Sequence, residues 1–272
     1  MPACNPSGNM VCIPAAGKGI QQVRINLVSY NVHGCLGWDG RADPGRVAAV
    51  LSEVGGDIVA LQEVPRLERG GGLFLNRVSA VTGLKAIAGA ELLGHFAHYG
   101  NALLTRFALR SMSTIDLGVQ GREPRGAIHV ELDCDAARIS VIATHLGLSP
   151  AERRTQIQRL LPVVMQQTCP VVLLGDINEW FTWGRPLRWL HAHFGRPPAP
   201  RSFPSMCPAF RLDRIWVSRP SIVSTVRAHV SALARSASDH LPVKGLAELR
   251  WADHCAQEIP ELTTRRGATA AS

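Results

Sequence analysis

The sequence lacks the features that mark membrane-spanning, secreted and zinc-stapled proteins. No apolar run among its 272 residues reaches the roughly 18 residues of a membrane-spanning helix. Its start has no basic segment followed by an apolar one, so we expect no signal peptide. The seven cysteines form no C-x-x-C pair, which argues against zinc and against a disulfide framework. We therefore expect buried, reduced thiols and a cytoplasmic location.

Other familiar signatures are missing too. Gly70-Gly71-Gly72 has neither the lysine nor the spacing of a phosphate-binding P-loop. No G-x-S-x-G nucleophile elbow occurs. His95 and His98 lack companion ligands at zinc spacing, so we interpret them as loop residues. The sequence thus does not support a P-loop enzyme, an α/β-hydrolase or a zinc enzyme.

Composition indicates a globular protein with a basic charge. Hydrophobic residues make up 46% of the chain, with 25 Gly and 18 Pro, which suits an α/β enzyme with a large core. The net charge of +8, from 29 Lys and Arg against 21 Asp and Glu, favours nucleic acid, anionic lipid headgroups or phosphorylated small molecules as partners. The arginines are spread along the chain, so charge does not select among these.

Alternating strand and helix patterns predict the fold. Residues 1–21 and 252–272 resemble a loose arm and a polar tail, which leaves residues 22–251 as one domain. Asp43-Pro44 predicts an N-cap with Pro at the first helical position, and the helical pattern follows over 46–54. Ser149-Pro150-Ala151-Glu152 predicts a capping box that opens a helix to about residue 167. Strand, helix and strand follow in similar order in both halves, which predicts an α/β fold: a four-layer sandwich of two packed mixed β-sheets flanked by helices.

Polar residues stand at the ends of the predicted strands. The apolar run Val171–Leu174 ends at Gly175-Asp176-Ile177-Asn178, where an acid and an amide lie two residues apart. Each such residue alone has a structural interpretation, as a turn cap, an exposed strand end or a core histidine. Their shared placement at strand ends favours a site, formed by Asn31, Glu63, His145, Asp176 with Asn178, Asp213, and Asp239 with His240.

These segments resemble the endonuclease/exonuclease/phosphatase superfamily, whose order they follow over residues 25–248. A closer resemblance is to uncharacterised bacterial members that carry a short Phe-Pro loop before the Leu-Asp-Arg-Ile strand, here Arg201–Ser205. The segments that carry the family resemblance are Ser29-Tyr30-Asn31-Val32-His33-Gly34, Leu61-Gln62-Glu63-Val64, Thr144-His145-Leu146, Gly175-Asp176-Ile177-Asn178, Leu212-Asp213-Arg214-Ile215 and Ser238-Asp239-His240-Leu241-Pro242.

The resemblance implies a metal site and a hydrolytic reaction. Glu63, Asn31 and Asp239 would hold Mg²⁺, with Mn²⁺ able to substitute, because both prefer hard oxygen ligands. His240 would be the general base toward water, with Asp213 orienting it. In some family members the counterpart of Asp176 is assigned this task instead.

Other residues would contact the substrate. Asn178 and His145 would hold non-bridging phosphate oxygens. Arg122, in an Arg-Glu-Pro element, and Asn101 would be substrate-binding residues, although Arg122 also fits a surface β-turn. His33 and Thr144-His145 differ from the abasic-site endonuclease pattern and place the chain nearer the deoxyribonuclease and phosphatase branches.

The predicted function is therefore a Mg²⁺-dependent phosphoesterase that cleaves a phosphodiester, acting as a monomer. Alternatives are a phosphatase or phospholipase acting on a small or lipid phosphoester, and a non-catalytic binding protein on the same fold. The substrate would be nucleic acid, a phospholipid headgroup or another phosphate-bearing molecule. The Phe203 loop, with Trp180, Trp183 and Trp189, would border the cleft, or these aromatics would pack the helix between residues 184 and 194 onto the sheet. We favour packing for Trp189 and leave both interpretations open for Phe203 and Trp180.

Overall fold

A computed structural model describes residues 21–66, 70–89, 99–134 and 137–251. Most of the expected arm, the expected tail, His95 and His98 lie outside the described residues. No helix in the described ranges is long and apolar enough to cross a membrane.

The first sheet, called sheet I here, has six strands and mixed pairing. Its strand order is β10-β11-β1-β2-β4-β3, in which β1 and β2 are parallel and the other neighbours antiparallel. The strands are β1 (Gln21–Asn31), β2 (Ile58–Pro65), β3 (Lys85–Ala88), β4 (Tyr99–Thr105), β10 (Ile222–Ala228) and β11 (Val243–Trp251).

The second sheet, sheet II, has five strands in the order β5-β6-β7-β8-β9. Here β7 and β8 are parallel and the other neighbours antiparallel. The strands are β5 (Ala108–Asp116), β6 (Gly126–Cys134), β7 (Ala137–His145), β8 (Val171–Asp176) and β9 (Asp213–Val217). Each sheet therefore contains one parallel pair.

Helices cover the outer faces of both sheets. The helices are α1 (Pro44–Val54), α2 (Gly71–Thr82), α3 (Pro150–Met165), α4 (Arg185–Phe194) and α5 (Ala232–Ala237), with a 3-10 turn at His33–Cys35. One buried cluster joins the two sheets. A second packs α1, α2 and α5 on sheet I, and a third packs α3 and α4 on sheet II. These layers confirm the predicted four-layer sandwich.

Helix starts follow from local side-chain chemistry. The Asp43 carboxylate accepts hydrogen bonds from the backbone of Gly45 and Arg46, so α1 begins at Pro44, the predicted first helical position. Ser149 and Glu152 form the predicted capping box of α3, which ends at Met165. Such caps satisfy backbone N–H groups that lack a partner in the first turn.

The described cysteines agree only partly with the expectation of buried thiols. Cys35 and Cys134 are buried and form no disulfide, whereas Cys169 is partly buried and Cys207 is exposed. Cys207 lies in the loop between Phe203 and β9, where its side chain reaches solvent. The prediction of buried thiols is therefore wrong for Cys207.

Candidate active site

The two parallel strand pairs bring the predicted polar residues to one edge of the sandwich. Asn31 ends β1 and lies in register with Gln62 of β2. His145 ends β7 in register with Asp176, the last residue of β8, and Asp176 also faces Asp213, the first residue of β9. Carboxyl ends of parallel strands meet at the same edge, and β9 starts there because it is antiparallel to β8.

These residues line a cleft of about 340 Å³. Its walls include Glu63, His145, Asp176, Asn178, Asp239 and His240, together with Arg125, Trp180 and Phe203. A larger cavity, of about 490 Å³, lies at the opposite end of β8 around Val171, Cys169 and His193. Among the described residues, no carboxylate lines that cavity. The smaller cleft, which has several carboxylates in its walls, is therefore the better candidate for an active site.

A buried Asp–His pair forms the floor of the cleft. His240 Nδ1 lies 2.9 Å from Asp213 Oδ2, and the same oxygen accepts a 2.5 Å hydrogen bond from the Ser202 hydroxyl. Both His240 and Asp213 are almost completely buried. His240 Nε2 points the other way and lies 3.6 Å from Asp176 Oδ2. The pair therefore presents Nε2 to the cleft in a fixed orientation.

Electrostatics separate the protonation states of the two histidines. Burial alone would lower the pKa of His240, but Asp213 and Asp176 raise it to about 10. Burial raises the pKa of Asp176 to about 6, against the lowering effect of His240. Burial, with Arg125 and His240 nearby, holds the pKa of His145 well below its usual value. Without a bound cation, His240 is charged and His145 neutral at pH 7.

Side chains with donor groups lie beside both ring nitrogens of His145. The Arg125 guanidinium lies 3.0 Å from His145 Nδ1, and arginine has only donors. His145 Nε2 lies 3.5 Å from Asp176 Oδ2. Asn178 Nδ2 lies 2.9 Å from His145 Nε2 and donates to the Leu146 carbonyl. Because an amide nitrogen also only donates, both nitrogens of the neutral ring face donor groups, and only one of them can accept.

Asn31 joins two of the acidic side chains. Its Nδ2 donates to Glu63 Oε1 at 2.9 Å and to Asp176 Oδ2 at 3.1 Å, while its Oδ1 accepts from the backbone of His33. Asp239 lies at the rim, with Oδ1 3.7 Å from His33 Nδ1. Glu63 and Asp239 are partly exposed to the cleft, whereas Asp213 is fully buried.

Two groups of residues offer metal ligands. Oxygen and nitrogen atoms of Asp176, Asp213 and His240 lie within 4.8 Å of one another, but His240 Nδ1 is engaged by Asp213. Glu63 and Asp239 offer carboxylate oxygens, which suit Mg²⁺ or Mn²⁺, whereas the predicted ligand Asn31 directs its amide nitrogen to Glu63 and Asp176 and its oxygen to the His33 backbone. Four carboxylates gather in or behind the cleft, from Glu63, Asp176, Asp213 and Asp239, and a divalent cation would offset their charge. The residues present fit such a cation.

The backbone is strained where the site residues are placed. Glu63 and Asn178 have φ of 54° and 52°, a left-handed conformation that costs a non-glycine residue free energy and occurs often at functional sites. Gly175, just before Asp176, has φ of 150°, and a Cβ there would overlap the carbonyl oxygen of Thr144. Close approach of β7 and β8 at this point requires glycine.

The two residues predicted to bind substrate lie in different surroundings. Asn101, on β4, is buried; its Nδ2 donates to the Gly126 carbonyl, and its Oδ1 has no partner among the described residues. It lines a small recess beside Glu63, Arg125 and His145. Arg122 is exposed and borders a neighbouring depression rather than the cleft that contains His240. A substrate contact by either residue stays a prediction.

Arg125 and Ser202 were not predicted as site residues. Gly126 starts β6 at the edge where β7 ends, since Ala127 pairs with Thr144. The criterion of polar residues at strand ends therefore selects Arg125, the neighbour of Gly126, rather than Arg122. No comparable signal identifies Ser202, whose contact with Asp213 depends on how the loop before β9 folds.

Aromatic side chains form one wall of the cleft. The Phe203 ring lies 4.8 Å from the His240 ring. Trp180 contacts Phe203 and Phe210 edge-on, with ring centroids 5.7 and 4.6 Å away. Trp189 instead packs against the α3 and α4 side of sheet II, as predicted. The Phe203 loop and Trp180 therefore border the cleft.

A family comparison agrees with this geometry. The model of the Endonuclease/Exonuclease/phosphatase family matches residues 28–240, a range that contains every residue placed at the cleft. The chain belongs to this family. Membership supports phosphoester hydrolysis, of a phosphoesterase or nuclease-like kind, and divalent metals are general among the family's enzymes.

Individual relatives extend the comparison. The uncharacterized protein YbhP of Escherichia coli (strain K12) is 29% identical over 246 residues, covering 82% of this chain and 96% of YbhP. An endonuclease/exonuclease/phosphatase structure from Beutenbergia cavernae has a TM-score of 0.62 at 22% identity, covering 83% and 72% of the two chains. One from Bacteroides vulgatus has a TM-score of 0.68 at 16% identity, covering 84% and 99%. The structural likenesses show the same fold.

Proposed function

We propose that this family member is a Mg²⁺-dependent phosphodiesterase that cleaves its substrate by in-line attack of water. The observation that carries the proposal is the Asp213–His240–Asp176 arrangement, in which both nitrogens of a buried histidine face carboxylates at 2.9 and 3.6 Å. A histidine held in this way has a fixed orientation and can exchange a proton at Nε2. Asn31 places Glu63 beside this group.

Each group of site residues has a separate role in the proposed reaction. Asn178 and His145 donate N–H groups to the non-bridging oxygens of the phosphate, where negative charge builds up. Because His240 is charged near pH 7, we assign acceptance of the proton from the attacking water to the carboxylate of Asp176, which lies 3.6 Å from His240 Nε2. Glu63, Asp239 and Asn31 would hold a cation, and its chemistry there would be to polarise the phosphoryl group and stabilise the leaving oxygen. Asp213 keeps His240 oriented.

Hydrolysis of bis-p-nitrophenyl phosphate with Mg²⁺ or Mn²⁺ tests the proposal. We expect turnover by the wild type, loss of about 10³-fold or more in His240→Ala, and a comparable loss in Glu63→Ala. Glu131→Ala is the matched control, because Glu131 lies on β6 away from the cleft. Equal rates for the wild type, His240→Ala and Glu63→Ala would reject the proposal.

A phosphomonoesterase is the alternative that the same screen can separate. Faster release of phosphate from p-nitrophenyl phosphate than from the diester, with the same dependence on His240 and Glu63, would favour it. Binding of Mg²⁺ or Mn²⁺ measured by calorimetry separates both from a non-catalytic scaffold, for which we expect neither metal binding nor turnover.

A further inference from the structure

Exposed aromatic side chains are concentrated beside the cleft. Trp183 and Phe181 have 71% and 53% of their surface exposed, and their rings contact each other at 5.3 Å. Three of the six tryptophans of the chain are exposed on this side of the molecule. We call these rings, together with the exposed Met206, the aromatic rim. Its members are Trp38, Trp180, Phe181, Trp183, Met206 and Phe210.

The rim belongs to the structure that surrounds the catalytic residues. Trp38 Nε1 donates to Ser205 Oγ at 2.8 Å, and the Ser205 backbone N–H donates to the Asp239 carbonyl at 2.7 Å. Trp180 is part of the cleft wall. Trp38 and Trp180 are therefore anchored on the His240 side of the cleft, and Phe181 and Trp183 follow Trp180 in the same loop after β8.

In the segment that contains most of the rim, residues 180–212, every charged side chain is positive. Residues 180–212 contain five arginines and no Asp, Glu or Lys. This segment is therefore strongly basic within a chain whose net charge is +8. Arg185, Arg201 and Arg211 are exposed and lie within two residues of Trp183, Phe203 and Phe210 in the chain. Exposed apolar patches mark interaction sites, and arginines beside them select an anionic partner.

We propose that the aromatic rim and its arginines bind the surface of an anionic phospholipid membrane. Aromatic and aliphatic side chains next to cationic residues combine burial at the acyl boundary with attraction to anionic headgroups. Trp in particular favours the membrane interface, because its ring is largely apolar but carries one polar N–H group. Trp180 itself packs edge-on against Phe203 and Phe210, which holds its ring in the cleft wall.

Membrane binding does not depend on the proposed function, but its consequence for substrate choice does. A rim seated on the bilayer would turn the cleft toward the phosphodiester of a lipid headgroup. The binding step can therefore be tested without turnover, and a failure of one leaves the other standing.

Flotation with lipid vesicles tests the proposal. The full chain is mixed with vesicles of phosphatidylglycerol and phosphatidylcholine, or of phosphatidylcholine alone, and the bound fraction and tryptophan emission are measured. We expect binding to the anionic vesicles with a blue shift, loss of roughly tenfold or more in Phe181→Ser/Trp183→Ser, and weaker binding with added salt. Arg201→Gln/Arg211→Gln should lose binding to anionic vesicles as well.

A matched control separates the rim from general apolar exposure. Leu73 and Met165 are 78% and 67% exposed and lie on α2 and α3, outside the rim. Leu73→Ser/Met165→Ser should bind vesicles like the wild type. Absence of wild-type binding, equal binding by the Phe181→Ser/Trp183→Ser variant, or equal loss in the control would overturn the proposal. So would binding of a single-stranded oligonucleotide, lost in the rim variant, by a wild type that ignores vesicles.

Discussion

His240 Nδ1 and Asp213 Oδ2 are 2.9 Å apart at a point where Asp213 is fully buried and has Ser202 as its second partner. The two residues come from different sheets, since Asp213 starts β9 and His240 precedes β11. A contact that spans both sheets fixes the histidine relative to Asp176 on β8. The packing of the sandwich is thus a condition for the orientation of the proposed catalytic histidine.

Replacement of Asp213 by Asn should lower the pKa of His240. Asp213 and Asp176 raise that pKa to about 10 against the effect of burial, so loss of the nearer carboxylate moves it back toward the usual value near 6.5. The measurement is ¹⁵N NMR of the histidine rings during a pH titration in EDTA. Ser202→Ala, which keeps the carboxylate, serves as the control, and an unchanged titration of His240 in Asp213→Asn would contradict the prediction.

The same pair predicts how stability changes with pH. The folded-state pKa of His240 is raised above its unfolded value, so its contribution to stability is fully present below about pH 6.5 and is lost as the pH rises through about 10. The difference in unfolding free energy between the wild type and Asp213→Asn should therefore be larger near pH 6.5 than near pH 10. Urea denaturation in EDTA at several pH values measures it, and a difference that grows toward pH 10 would reject the assignment.

Arg125 and Arg122 form a natural pair of test and control. Arg125 lies beside His145 Nδ1 and is nearly buried, whereas Arg122 is exposed outside the cleft. Arg125→Gln should free the tautomer of His145 and lower kcat by roughly 10–100-fold, while Arg122→Gln should change kcat less. Ring ¹⁵N shifts of His145 report the tautomer. If Arg122→Gln causes the larger loss of kcat, the role given to Arg125 is rejected and the prediction that Arg122 contacts the substrate is favoured.

The strand-end pattern predicted most of the site because two parallel pairs carry it. Asn31, His145 and Asp176 end strands whose carboxyl ends must share an edge once β1 pairs with β2 and β7 with β8. Which side chains touch across that edge depends on how the two sheets pack and on loops without periodicity. The link from Asn31 to Glu63 and Asp176, and the one from Ser202 to Asp213, could not be read from spacing.

The buried ion pair of Arg153 and Glu179 joins a helix to the loop that carries Asn178. Arg153, on α3, bonds both carboxylate oxygens of Glu179 at 3.2 and 3.3 Å and also the carbonyls of Gly147 and Leu148. Glu179 follows Asn178 directly, so the pair ties the loop after β8 to the helix that packs on sheet II. Loss of one partner leaves the other charge buried and unpaired, which typically costs about 3–5 kcal/mol.

We therefore expect Glu179→Leu to lower the unfolding free energy by about 3–5 kcal/mol, as measured by urea denaturation. Arg153→Met/Glu179→Leu should recover part of that loss, because neither charge remains. Asp133→Leu is the control: its pair with Arg110 lies partly exposed on sheet II, where a surface ion pair contributes at most about 1 kcal/mol. A loss in Glu179→Leu no larger than in this control would show that the Arg153 guanidinium finds water or another partner when Glu179 is removed.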